Sequence, residues 1–159
     1  REGEQLTDAF KQINPNCTVP VLELDDGTRI SSIDAMNRYI EEICPEPPLF
    51  GRNPTERAQI NDWCHNINVN GFMAVAEALR NSAPRLERGR QRVVYFFEDL
   101  NEQLAGHDFV VGDTFSAADV GALVVVDFAT GMAKIEMPEG LDNLKRWYAA
   151  VSARPSASA

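Results

Sequence analysis

The sequence predicts a small α/β segment followed by an all-helical bundle, and three features predict it. A β-rich run with a turn lies near the start, a proline-rich break follows residue 44, and long 3.6-residue periodicity fills the remainder. At 159 residues, with 44% apolar and 25% charged side chains, the chain is long enough to bury a core. Fifteen basic against twenty-four acidic residues leave a formal charge of -9. That charge repels phosphate backbones and anionic lipid, which argues against nucleic acid and membrane partners. The longest apolar run, Val120 to Val126, is closed by Asp127 and falls short of the roughly 18 residues a membrane span requires. Cys17, Cys44 and Cys64 form an odd set without metal-type spacing, so reduced thiols in a cytoplasmic protein, with no metal site, are expected. The charged opening, Arg1 to Leu6, lacks the apolar stretch of a secretory signal.

In chain order, Thr7 followed by Asp8 and Ala9 predicts a helix start, and Asn14-Pro15-Asn16 ends it after barely two turns. Val19 to Leu24 is a β-rich run, Asp25-Asp26-Gly27 a hairpin-type turn, and Thr28 to Ile30 a second extended piece. Ile33, Met36, Ile40 and Ile43 recur every three or four residues. They predict an amphipathic helix from Ser32 to Ile43 whose apolar face covers the hairpin. Cys44-Pro45-Glu46-Pro47-Pro48 cannot continue it, since prolines lack the amide donor and restrict the preceding residue. The boundaries are therefore set at 1–44 for the α/β part, 45–52 for a linker and 53–159 for the helical domain.

Asn53-Pro54-Thr55-Glu56 supplies an N-cap, a proline at the first helical position and a glutamate at the third. The long helix it starts carries Ile60, Trp63, Cys64, Ile67, Phe72 and Val75 as a buried stripe up to about Ser82. The next helix, with Val93, Val94, Phe96, Phe97, Leu100 and Leu104, ends near Gly106. Ser116 with Asp119 makes a capping box, and Phe115 with Val120 a hydrophobic staple. As a capping residue, Asp119 replaced by Ala should cost about 0.5 to 2 kcal/mol. A last helix, Leu141 to Ser152, buries Leu144, Trp147, Tyr148 and Val151.

The ordered segments Ile13-Asn14-Pro15-Asn16, Thr18-Val19-Pro20-Val21-Leu22, Asp25-Asp26-Gly27 and Arg38-Tyr39-Ile40-Glu41-Glu42 resemble the later half of the thioredoxin-like domain of bacterial glutathione S-transferases. The linker through Gly51, the Ser116 to Asp119 box and Arg154-Pro155-Ser156-Ala157 are similar to that family too, so the resemblance spans nearly the whole chain. It implies the glutathione S-transferase fold: an α/β thioredoxin-like domain, partial in this chain, followed by an all-α helical bundle domain. It further implies glutathione as co-substrate, held by Thr18, Val19, Pro20, Ser32 and Ile33. In the family a cis Val-Pro bond turns the valine amide and carbonyl toward the cysteinyl part of glutathione. From the residues alone, a trans proline opening an edge strand fits Val19-Pro20 equally well.

Ser32 and Ile33 occupy the place where the family carries an acidic residue or glutamine followed by serine or threonine, which grips the γ-glutamyl group at a helix N-terminus. Both depart from that pattern. Ile33 retains an amide but no hydroxyl, Ser32 cannot pair with the glutamyl ammonium, and Asp34 is a partial substitute. Ser31 or Ser32 also serves as N-cap. Cys17, two residues before Val19, is a thiol beside the expected glutathione site; tolerance without a role is the reading preferred for it.

The family's thiol-activating serine, cysteine or tyrosine lies in a strand-helix-strand segment, and the resemblance places that segment before Arg1, so the catalytic residue is unknown. A longer loop is expected between Pro84 and Arg85. His65 and Asn66 are weighed as cleft residues for the apolar co-substrate, with core packing preferred for Trp63 and Cys64. Arg80, Arg85, Arg88, Arg90 and Arg92 read as a solvated basic face, and His107 as a surface residue. The implied function is a cytoplasmic, homodimeric glutathione transferase that conjugates glutathione to hydrophobic electrophiles in detoxification. The alternative is a non-catalytic member of the fold that binds ligands or proteins and recognises glutathione weakly.

Overall fold

The computed structural model describes residues 3–80 and 83–157. These fall into two units, Arg1–Pro48 and Leu49–Ala159, each taken by itself below.

In the first unit, Thr7 Oγ1 accepts from the Phe10 amide and caps α1, a single turn over Asp8–Lys11. The turn ends where the Ile13 and Asn14 amides both donate to Phe10 O. Strand β1 (Leu22–Glu23) pairs antiparallel with β2 (Arg29–Ile30), Leu22 opposite Ile30 and Glu23 opposite Arg29. This ladder is shorter than the predicted Val19–Leu24 and Thr28–Ile30 runs. Pro20 has no amide to donate, and Leu24 to Thr28 are consumed by the turn, in which Leu24 N donates to Thr28 O and Gly27 N to Leu24 O. Gly27 takes φ 84°, the left-handed position that closes a three-residue hairpin loop. Asp26 Oδ1 accepts from the Thr28 amide, and that bond, foremost, holds its carboxyl below the usual aspartate range.

Helix α2 (Ile33–Ile43) forms as predicted, with Ser32 Oγ accepting from the Ala35 amide. Its apolar face does not bury as expected: Met36 is buried, whereas Ile33, Ile40 and Ile43 are exposed. A ladder of two residues per strand offers too little surface to cover three isoleucines.

The second unit builds its own core. Asn53 Oδ1 accepts from the Glu56 amide, and Glu56 returns bonds to Asn53 Nδ2 and the Arg52 amide, which starts α3 (Pro54–Asn66). Gly51 precedes it at φ 94°, where a Cβ would stand 2.9 Å from Arg57 N. The predicted single helix then departs from α geometry. A π turn over Ile67–Phe72 intervenes, closed by Met73 N donating to Asn68 O, before α4 (Met73–Ala78). Helix α5 (Ala83–Gln103) opens directly on Ala83, so Ala83-Pro84-Arg85 is its first turn rather than a break; Asn81 and Ser82 lie outside the described residues. A Cβ at Gly89 would come within 2.3 Å of Ala78 N, so α5 crosses α4 at a distance that glycine alone permits. Helix α6 (Ala117–Asp127) runs into a second π turn over Phe128–Met132, and α7 (Asp142–Ser152) closes the bundle.

The core is made by Val93, Phe96, Phe97 and Leu100 of α5, Val125 and Val126 of α6, and Trp147 of α7, all buried. At its centre sits Asp119, wholly buried. Asp119 Oδ1 accepts from Val110 N and Trp147 Nε1, each at 2.9 Å, and Oδ2 accepts from Ser116 N at 2.9 Å and Ser116 Oγ at 3.1 Å. The predicted capping box is present, but the carboxylate also ties α6 to α7 and to the 110 segment. Burial pushes its carboxyl up from the aspartate range, against the pull of these donors. The Phe115 ring meets Phe109 edge-on and carries the Arg154 guanidinium 3.8 Å over its centre, while Val120 is exposed. No helix among the described residues is long and apolar enough to cross a membrane.

Candidate functional site

In the first unit the segment ahead of β1 is organised by one side chain. Asn14 is buried; its Nδ2 donates to Thr18 O at 2.8 Å and Thr18 Oγ1 at 2.9 Å, and its Oδ1 accepts from the Asn16 amide at 3.1 Å. That bracing fixes the loop in which Cys17 takes φ 55° and Val19-Pro20 is cis. Val19 is 64% exposed, and among the described residues its amide and carbonyl have no hydrogen-bond partner. Both are polar backbone groups open to an incoming chain.

The hairpin register brings the other predicted residues to the same place. With Leu22 opposite Ile30, Pro20 and Val19 leave one strand at the end where Ser32 and Ile33 leave the other. Thr18, Val19 and Pro20 precede β1 and Ser32 and Ile33 follow β2, so all five lie toward the same end of the hairpin. Ile33, the first residue of α2, is exposed, and the first amides of a helix lack partners within it. The Ser32 hydroxyl is engaged in capping, at 3.5 Å from Ala35 N. Cys17 Sγ points to Pro15 O at 3.8 Å.

In the second unit, Trp63 and Cys64 pack against the core, as expected for helical apolar residues. His65 is exposed, and Asn66 is tied into a polar chain: its Nδ2 donates to Asp99 Oδ2 at 2.9 Å, and its Oδ1 accepts from Asn70 Nδ2 at 2.7 Å. His107 is a surface residue with Asp113 3.9 Å from its Nδ1. The arginines do not all form a solvated face. Arg92 Nη2 donates to Val69 O at 2.7 Å and Arg90 Nη2 to Ala133 O at 3.2 Å, because each of these carbonyls belongs to or follows a π turn.

The feature that periodicity alone missed is an apolar surface where the two π turns meet. Phe72 and Phe128 stand edge to face with centroids 6.4 Å apart. Around them Val69, Met73, Phe128 and Met132 are exposed, Phe128 by 42% and Met132 by 59%. On the π-turn helix this stripe is bounded on the α5 side by Asn66, Asn70 and Glu77. Such an apolar surface with a polar edge suits a flat or apolar ligand. The sequence signal was Phe128 and Met132 falling beyond the buried run of α6, but a π turn shifts which face a residue occupies.

Comparison with known proteins identifies the family. The family model of the glutathione S-transferase N-terminal domain matches residues 1–43, and that of the C-terminal domain residues 83–150. The chain is similar to the crystal structure of a glutathione S-transferase of class Gtt2 from Vibrio parahaemolyticus. The two are 38% identical with a TM-score of 0.88, over 98% of this chain and 78% of that one. It is similar also to a glutathione S-transferase domain-containing protein from Marinobacter aquaeolei, 34% identical with a TM-score of 0.89, over 97% of this chain and 81% of that one. Among curated proteins, "Glutathione S-transferase 2" of Saccharomyces cerevisiae is 29% identical, over 98% of this chain and 72% of the yeast protein.

Proposed function

The chain belongs to the glutathione S-transferase family, with a thioredoxin-like portion ahead of a helical domain, and from that premise we propose that it conjugates glutathione to apolar electrophiles. The observation that supports this reading is the unpartnered amide and carbonyl of Val19, just ahead of β1, at the end of the hairpin from which α2 starts. Val19 would pair with the cysteinyl part of glutathione like an added strand, with Thr18 and Pro20 setting its backbone. Ser32 and Ile33 would offer amides to the γ-glutamyl carboxylate. The glutathione-binding domain would end near residue 44, and residues 53–159 would supply the co-substrate surface around Phe72 and Phe128. No residue of this chain is assigned the thiol-activating role, and a cytoplasmic homodimer engaged in detoxification is the assembly and setting that fit the family.

Calorimetric titration with glutathione, followed by a conjugation assay with a chlorinated nitrobenzene, tests the proposal. Saturable binding with turnover supports it; turnover at the uncatalysed rate despite binding refutes it. One observation favours a second reading, a non-catalytic binding protein. Ile33 brings no hydroxyl, and the Ser32 hydroxyl is engaged in the cap, so the charge-assisted contact expected at this helix start is missing. Such a contact is worth about 1.5 to 3 kcal/mol, roughly tenfold or more in affinity. No heat at millimolar glutathione would select the second reading.

A further inference from the structure

We propose that Arg92 is a positioning residue that sets the shape of the apolar ligand surface, by holding the π turn at Ile67–Phe72; this rests on the reading of that surface as the co-substrate site. Where a helix ladder passes from five-residue back to four-residue spacing, one carbonyl loses its regular amide partner and needs another donor. Met73 N reaches back five residues to Asn68 O, and the next carbonyl, Val69 O, receives Arg92 Nη2 at 2.7 Å. The other arm of the same guanidinium lies 3.2 Å from Glu77 Oε1, and the Arg92 side chain is 25% exposed. Glu77 Oε2 is a buried oxygen with no hydrogen-bond partner, 3.9 Å from Arg88 Nε, so Arg92 provides the near contact of that carboxylate.

One planar fork thus joins three places at once: the π-turn carbonyl, the Glu77 carboxylate on α4, and α5 itself. Val69, Phe72 and Met73 share the outer face of this turn, and Phe72 carries the contact to Phe128. If the carbonyl were released, the turn would relax toward α geometry, rotating the residues beyond it by part of a turn and separating Phe72 from Phe128. Arg90, two residues earlier on α5, donates to Ala133 O just past the second π turn, so the same helix braces both sides of the surface.

The test compares R92M, R92K and F128A with the natural chain, using the neutral apolar dye Nile red as probe, glutathione titration as reference and amide exchange of the 67–74 stretch. R92M keeps the stem length and loses both contacts. Its Nile red affinity should fall about tenfold, and exchange in 67–74 should rise about tenfold while that of the α5 and α6 core stays unchanged. Glutathione affinity should stay within about twofold. R92K, which keeps the charge but lacks the planar fork, should recover part of the dye affinity. Dye affinity of R92M within about twofold of the natural chain, with F128A weakened, overturns the positioning role alone. Failure of the natural chain to bind the dye, or binding untouched by F128A, overturns the reading of the surface itself. Should R92M fail to fold, full dye affinity in R92K with unaltered exchange at 67–74 overturns the role of the fork.

Discussion

Replacing Asp119 by Ala strips the acceptor from four donors in the centre of the second unit; the Ser116 hydroxyl can rotate to another partner, but the Val110 amide, the Ser116 amide and the Trp147 indole cannot. Those residues are 0, 2 and 0% exposed, so solvent cannot substitute. Leaving a buried donor unsatisfied costs about 1 to 3 kcal/mol, so three give roughly 3 to 9. Part returns, because removal also ends the several kcal/mol spent on desolvating the carboxylate. The net expectation is about 3 to 5 kcal/mol, above the 0.5 to 2 that capping alone implies and a large share of a usual 5 to 15. Urea unfolding followed by near-ultraviolet dichroism of Trp147 measures it; Ser116→Ala, which loses only a hydroxyl, should cost about 1 kcal/mol on the same scale. The pH dependence adds a sign. Burial raises the folded carboxyl above its unfolded value, so the group's contribution is full below the unfolded aspartate range and is lost as pH rises through the folded value. The gap between natural and Asp119→Ala chains should be widest below the unfolded aspartate range and narrow as pH rises through the folded value. A loss under about 2 kcal/mol, or a gap that widens with pH, would refute the reasoning.

Gly89→Ala should destabilise by about 1 to 3 kcal/mol or more, because the added methyl meets the Ala78 backbone at 2.3 Å and α5 must move off α4; its urea midpoint measures this. Ile33→Ser should tighten glutathione binding by roughly tenfold in a calorimetric titration, since a hydroxyl at the helix start adds a donor to a carboxylate; an unchanged Kd argues against that placement of the ligand. Asn14→Ala removes the bonds to Thr18 O, Thr18 Oγ1 and the Asn16 amide and should weaken glutathione by about three- to tenfold, with the urea midpoint of the second unit unmoved.

Much of this fold was legible because its signals are local. Thr7, Ser32, Asn53 and Ser116 each cap the helix that the sequence placed after them, since an N-cap needs only a side-chain oxygen and two or three following amides. The family resemblance was readable for a related reason: Val19-Pro20, Asp25 to Gly27 and the linker keep fixed spacings along the chain. What was hidden depends on partners distant in sequence. The π turns cannot be seen in a pattern that assumes 3.6 residues per turn, and so the outward placement of Phe128 and Met132 was not seen either. Arg90 and Arg92 read as surface charge because the carbonyls they serve lie 43 and 23 residues away. Asp119 was recognised as a cap, but its bond to Trp147 spans 28 residues and had no sequence signal.

The two units differ in a way that governs which measurement speaks to which question. Among the described residues of Arg1–Pro48, Met36 and Asn14 are the buried side chains, whereas Leu49–Ala159 holds the contiguous core from Ile67 to Val151. The heat and the urea dependence of unfolding scale with surface released, so both report chiefly on the second unit. On the proposed reading, a substitution at Asn14 weakens glutathione binding and leaves the melting curve unchanged, and one at Asp119 can unfold the bundle without touching a ligand contact. Loss of activity in an Asp119 variant therefore says nothing about the site. An unchanged melt in an Asn14 variant is instead the condition under which its binding loss can be assigned to the segment ahead of β1.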